Sequence, residues 1–260
     1  MKGFINANFG KTFFDNYHFI ENNLEVKEEL DRVIEDLNRD NYLEISYNFS
    51  KNYNYFLTKF KKGYFLSDDS FYAALVYHYS QKDNKDIDVY NYSFNKKSFD
   101  KLNLYEGVEL VFSSFGITYQ NLFDNFDLIA NLLKVGGIIF LELPSYWFFR
   151  DELNEDEKAI LNYSKVSDKR WLFTEDISPI IEENNCEIIT QKRVNNQKIL
   201  DRLDISYLSS LDKLHKASIE NNIAVLEICD IKERELKINS SILVIKKKSK
   251  SINKDNLFSV

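Results

Sequence analysis

The sequence predicts an α/β protein built on a seven-stranded, mostly parallel sheet with helices on both faces. Three observations carry this. Seven short apolar runs recur along the 260 residues. They are near-continuously apolar, as strands covered on both faces are. Between them, apolar residues fall at three- and four-residue steps, the mark of amphipathic helices.

Residues 4–38 read as two helices ahead of the first strand, so 1–38 is expected to form an N-terminal helical lid. The runs at 42–46, 63–67, 87–90 and 108–113 supply strands one to four. Tyr119, Leu122, Phe123, Phe126, Ile129, Leu132 and Leu133 then line one face of a helix, which Gly136-Gly137 is expected to end by taking a left-handed conformation. The clearest run, 137–143, is strand five. Thr174 reads as the N-cap of a helix with Glu175 and Asp176 in its first turn. Strand six is expected at 187–191, closing a core of 39–196. Residues 197–219 and 222–236 read as helices of a cap inserted over 197–240. Strand seven follows within 241–248, and the Lys/Ser/Asn-rich 249–260 reads as a frayed tail.

The net charge of −7 argues against a general nucleic-acid binder, which needs concentrated Lys and Arg. No uncharged apolar stretch is long enough to span a bilayer, so no membrane association is expected. The first residues lack the pattern of a secretion signal. Cys186 and Cys229 are too few for a disulfide framework or zinc cluster, and a cytoplasmic location is the expectation. The chain has only 7 Gly and 2 Pro, and no Gly-x-Gly-x-x-Gly, which argues against a nicotinamide dehydrogenase.

In such sheets ligands bind beyond the carboxyl ends of the strands, near the point where strand order reverses. Functional residues are therefore expected after strands one to four. After strand one come Glu44, Ser46, Asn48 and Ser50. Small polar residues at alternate positions stand where a glycine loop would let backbone approach a ligand, and Asn tolerates left-handed φ. The same loop reads equally as a strand-to-helix connection capped by Ser or Asn. After strand two comes Ser67-Asp68-Asp69-Ser70. An acidic side chain there, roughly 20 residues beyond the first loop, can accept hydrogen bonds from both ribose hydroxyls. Asp69 supplies an N-cap for the helix from Ser70 on the alternative reading. Asn91 follows strand three, and Ser113 stands at the end of strand four.

Together these segments resemble the class I S-adenosylmethionine-dependent methyltransferases. Leu132-Leu133-Lys134-Val135-Gly136-Gly137 looks like that family's turn into strand five, residues 108–115 like its fourth-strand motif, and Asp68-Asp69-Ser70 like its ribose motif. The resemblance spans about residues 40–195 and implies a Rossmann-like sheet and S-adenosylmethionine as cofactor. All three loop glycines of the family are replaced, at Ser46, Asn48 and Ser50.

A narrower likeness is to the malonyl-acyl-carrier-protein O-methyltransferases of biotin synthesis. Residues 9–17, Phe-Gly-Lys-Thr-Phe-Phe-Asp-Asn-Tyr, resemble their aromatic opening segment. Residues 112–119, Phe-Ser-Ser-Phe-Gly-Ile-Thr-Tyr, resemble their fourth-strand sequence, and 207–214 a downstream helix. That resemblance implies methyl transfer to the free carboxylate of malonyl-acyl-carrier protein. Arg150 is then the expected cation for that carboxylate, with Tyr17 beside it in the lid. Lys192, Arg193, Lys198, Arg202, Lys213 and Lys216 would offer a basic surface to an acidic carrier protein. Two other readings stand beside this one: a methyltransferase of another small acid or natural product, and a non-catalytic binding or scaffold protein of the same fold.

Overall fold

A computed structural model describes residues 20, 23–46, 50–117, 119–145, 148–149, 153–155, 157–158, 174–200 and 236–249. The elements in chain order are α1 (Leu24–Ile34), β1 (Asn41–Ile45), α2 (Tyr53–Phe56), β2 (Lys62–Ser67), α3 (Ser70–Lys82), β3 (Ile87–Asn91) and α4 (Lys96–Leu102). They continue as β4 (Val108–Ser114), α5 (Tyr119–Asp124), α6 (Phe126–Leu132), β5 (Leu133–Pro144), α7 (Thr174–Glu183), β6 (Cys186–Leu200) and β7 (Leu236–Lys247). The seven strands form one sheet in the order β3-β2-β1-β4-β5-β7-β6. The first five pair in parallel, and β7 runs antiparallel to both β5 and β6. The expected α/β architecture is therefore the one observed.

The reason lies in the runs themselves. In β1, β2 and β4 nearly every residue is buried, so each strand needs cover above and below. One face carries Tyr42, Leu110, Phe112, Ile138, Phe140, Ile242 and Val244, packed against α1 and residues 55–60. The other carries Leu43, Ile45, Leu66, Val111, Ile139, Leu141, Leu243 and Ile245 under α4, α5, α6 and α7. The result is three layers. α1 starts at Asn23, whose side chain accepts from Val26 N as an N-cap.

Several features depart from the sequence reading. The helix expected over 119–133 is broken at Asn125 into α5 and α6. It ends at Leu132 and not at the glycine pair, because buried Lys247 reaches from β7 to donate to Ala130 O (2.9 Å) and Leu133 O (2.8 Å). A lysine thus does the capping expected of glycine. Gly136 does have the left-handed φ of +82°, but inside β5, where the β4–β5 register skips between Val108–Leu133 and Leu110–Ile138. The helix expected to be capped by Thr174 begins at Thr174 itself.

The helix expected from 197 is strand over 197–200, and Leu236 is also strand. β6 and β7 pair from Cys186–Lys247 out to Leu200–Leu236, with register shifts between Ile188 and Thr190 and between Val194 and Gln197. Backbone pairing between the two strands continues through Gln197–Asn239, Lys198–Ile238 and Ile199–Lys237 to this last pair. Residues 201–235, where the rest of the cap was expected, and the tail from 250 lie outside the described residues. Among the described residues no helix is long and apolar enough to cross a membrane.

Candidate functional site

The strand order reverses between β1 and β4: the chain adds β2 and β3 on one side of β1, then β4 and β5 on the other. Their carboxyl ends define the ligand crevice of an open α/β sheet. Most of the residues singled out in the sequence arrive there. Asn48, Tyr17 and Arg150 lie outside the described residues.

β1 delivers Glu44, which is fully buried. Its Oε1 accepts from Asn52 Nδ2 (2.9 Å), while its Oε2 is buried with no hydrogen-bond partner. Burial pushes the carboxyl up from 4.5 to about 7, opposed by the Ser50 and Asn52 side chains beside it. Ser46 is buried just past β1, its N–H donating to Leu66 O (3.0 Å). Ser50 is buried too, and its Oγ accepts from Asn52 N (3.0 Å). This is the capping role of the alternative reading, since it satisfies an N–H at the start of α2.

At the end of β2 the two aspartates divide their work. Asp69 caps α3, accepting from Phe71 N (2.8 Å) and Tyr72 N (3.3 Å). Asp68 stands exposed at the strand end. On the neighbouring strand Asn91 is exposed, and its Nδ2 donates to Ser67 O (3.3 Å). An exposed carboxylate at this strand end is the acceptor a ribose diol needs. For a nucleoside, therefore, the residues present fit.

β4 behaves differently. Ser113 is fully buried; its Oγ donates to Ile45 O (2.8 Å) and accepts from Gly116 N (3.1 Å). That pair of bonds folds the Phe115-Gly116 turn back onto the end of β1. A Cβ on Gly116 would meet Ile45 O at 2.3 Å and both Ser113 Oγ and Ser46 Cα at 2.8 Å. The space directly between the ends of β1 and β4 is thus filled by the chain itself.

Sequence reasoning missed a second polar group beside the site. Glu142, buried near the end of β5, accepts from Asn23 Nδ2 (3.1 Å) and Ser114 Oγ (2.6 Å). The signal was present: one carboxylate in the otherwise apolar Ile138–Leu143 run. Asn52 carried no signal at all, because its partners come from strand β1 and from Ile20. Two cations of the expected docking surface face carboxylates of the chain itself. Lys192 bonds Glu29 (2.9 Å), and Arg193 faces the buried Glu157 at 4.0 Å. Among the described residues no group of three or more His, Cys, Asp or Glu side chains is placed to hold a metal ion.

The sheet order and the antiparallel seventh strand are those of a class I S-adenosylmethionine-dependent methyltransferase fold. Solved structures agree. A geranyl diphosphate C-methyltransferase from Streptomyces coelicolor, in complex with Mg2+, geranyl diphosphate and S-adenosyl-L-homocysteine, superimposes with a TM-score of 0.56 at 11% identity over 95% of this chain and 88% of its own. A geranyl diphosphate methyltransferase in complex with S-adenosylmethionine gives 0.52 at 12% identity, over 85% and 84%. The [4+2]-cyclase SpnF gives 0.52 at 12% identity, over 84% and 79%. No family model and no curated protein sequence matches the chain. At such identities the likeness is one of fold, and the cyclase shows that this fold hosts chemistry other than methyl transfer.

Proposed function

We propose that the protein is an S-adenosylmethionine-dependent O-methyltransferase whose acceptor is the free carboxylate of malonyl-acyl-carrier protein. The observation that carries the cofactor half is the exposure of Asp68 beside Asn91, with capping of α3 delegated to Asp69. The acceptor half is supported by the sequence likeness at residues 9–17, 112–119 and 207–214.

When bound, S-adenosylmethionine supplies an electrophilic methyl group. Asp68 accepts hydrogen bonds from the ribose hydroxyls, and Asn91 lines the same end of the site. The acceptor carboxylate is ionised at neutral pH, so the chain needs no strong base to create the nucleophile. What it must supply is alignment and exclusion of water. Arg150 is assigned to hold the acceptor carboxylate and Tyr17 to close against it. None of the three histidines is required.

A second reading has an observation in its favour. The hydroxyls of Ser50 and Ser113 are spent on internal bonds, and the Phe115-Gly116 turn fills the β1–β4 gap. A protein that binds a nucleoside without transferring methyl would tolerate this. The experiment is calorimetry with S-adenosylmethionine on wild type and Asp68→Ala, followed by transfer of labelled methyl to malonyl-acyl-carrier protein. The proposal expects binding that falls about tenfold or more in the variant, as loss of a carboxylate hydrogen-bonding two hydroxyls implies, and label in the acceptor. Binding without transfer to malonyl or other small carboxylates favours the second reading. No binding by the wild type refutes both.

A further inference from the structure

Asn52 is almost fully buried and uses every polar group it has. Its backbone N–H donates to Ser50 Oγ (3.0 Å), and its carbonyl accepts from Phe56 N (2.9 Å). Its Nδ2 donates to Glu44 Oε1 (2.9 Å), and its Oδ1 accepts from the backbone N–H of Ile20 (3.0 Å). One side chain therefore ties the end of β1 to a residue 32 positions earlier in the chain. Three residues on from Ile20, the same entering turn is fastened again. Asn23 N donates to Ile20 O (3.1 Å), and Asn23 Nδ2 donates to Glu142 at the end of β5. Glu44 and Glu142 lie on one face of the sheet, the face covered by α1: Glu44 pairs with Phe112 in register, and Glu142 lies two residues past Phe140.

We infer that Asn52 is a positioning residue that ties the end of β1 at Glu44, together with Ser50, to the backbone at Ile20, so that neither shifts without the other. The inference rests on the proposed donor site only for its consequence: loosening this joint must weaken donor binding. The physical reason is that a buried amide whose oxygen and nitrogen each hold a partner incurs a desolvation cost when either partner leaves. If the Ile20 turn leaves, Asn52 Oδ1 is orphaned. If the Asn52 side chain leaves, Glu44 Oε1 loses its donor and the Ile20 N–H loses its acceptor.

The test is amide hydrogen exchange on the full chain, with calorimetry alongside, for wild type and Asn52→Ala. The expected result is exchange about tenfold faster both at Ile20 and across residues 44–52, with β4 and β5 unchanged, since each lost buried hydrogen bond is of that size. Affinity for S-adenosylmethionine should fall about fivefold or more through the loosened end of β1. Acceleration at only one of the two segments overturns the joint. Acceleration at both with donor affinity unchanged overturns the positioning role. Ser50→Ala is the milder variant, should Asn52→Ala fail to fold. The hydrogen-bond path from Ser50 to Ile20 runs through Asn52. Faster exchange at Ile20 is therefore expected in that variant too, and an Ile20 amide as slow as in wild type refutes the coupling. If the wild type binds no S-adenosylmethionine, the proposed function fails by itself, and the exchange comparison still decides the joint.

Discussion

Replacing Glu44 by Gln tests how the buried end of β1 is organised. The wild-type carboxyl is raised from 4.5 to about 7 because burial disfavours its charged form. A group that holds its proton more tightly folded than unfolded contributes its full stability below the unfolded value. That contribution is lost as pH rises through the folded value. Between 4.5 and about 7 the loss amounts to about 3 kcal/mol. Glu44 is only 2% exposed, so solvent screening takes little from this figure. The amide introduced by Glu44→Gln keeps an oxygen for Asn52 Nδ2 and cannot ionise. Whatever its own packing cost, that cost does not change with pH. The stability of Glu44→Gln relative to wild type should therefore rise by about 3 kcal/mol between about pH 4 and about pH 8. Urea unfolding at several pH values measures it. Two stability curves that stay parallel across this range would refute the account of Glu44 as a carboxyl made costly by burial.

Three further outcomes follow from single contacts. Gly116→Ala places a Cβ 2.3 Å from Ile45 O, against backbone that cannot swing aside; unfolding should show about 2 kcal/mol of lost stability. Lys247→Met keeps the stem and removes the ammonium that serves Ala130 O and Leu133 O. The variant should lose about 2 kcal/mol and exchange faster along α6, read by hydrogen exchange. Asp69→Ala removes the acceptor for Phe71 N and Tyr72 N, and should cost about 1 kcal/mol in urea unfolding.

The strands were legible because burial on two faces leaves a dense apolar imprint. The run at 42–46 became β1 (Asn41–Ile45), and that at 108–113 became β4 (Val108–Ser114). Their mainly parallel pairing followed from alternation with helices, whereas the order β3-β2-β1-β4-β5-β7-β6 came only from the structure. The end of α6 was misread because its cap is not local: Lys247 lies over 110 residues away in sequence from the carbonyls it serves. The outer half of β6 was misread because backbone pairing with β7 holds it, and pairing leaves no fixed pattern of residue types. At the site, Asp68 was singled out because it follows strand two roughly 20 residues beyond the first loop, where an acid can meet ribose hydroxyls. The partnership of Asn52 with Ile20, and of Asn23 with Glu142, was invisible, since each joins segments that only the folded sheet brings together.

The ribbon of β6 and β7 has a consequence for how the protein is divided. β5 stops at Pro144 opposite Ser240, yet β6 and β7 run on through Gln197–Asn239, Lys198–Ile238, Ile199–Lys237 and Leu200–Leu236. Those four pairs project about 14 Å past the neighbouring strand at the usual rise per residue. The two backbones at the tip are hydrogen-bonded neighbours, so residues 201–235 leave and return through a single doorway. A two-residue turn such as Asn-Gly joins strand ends paired in this way, so a chain with 201–235 replaced by such a turn is expected to keep β6 and β7 paired.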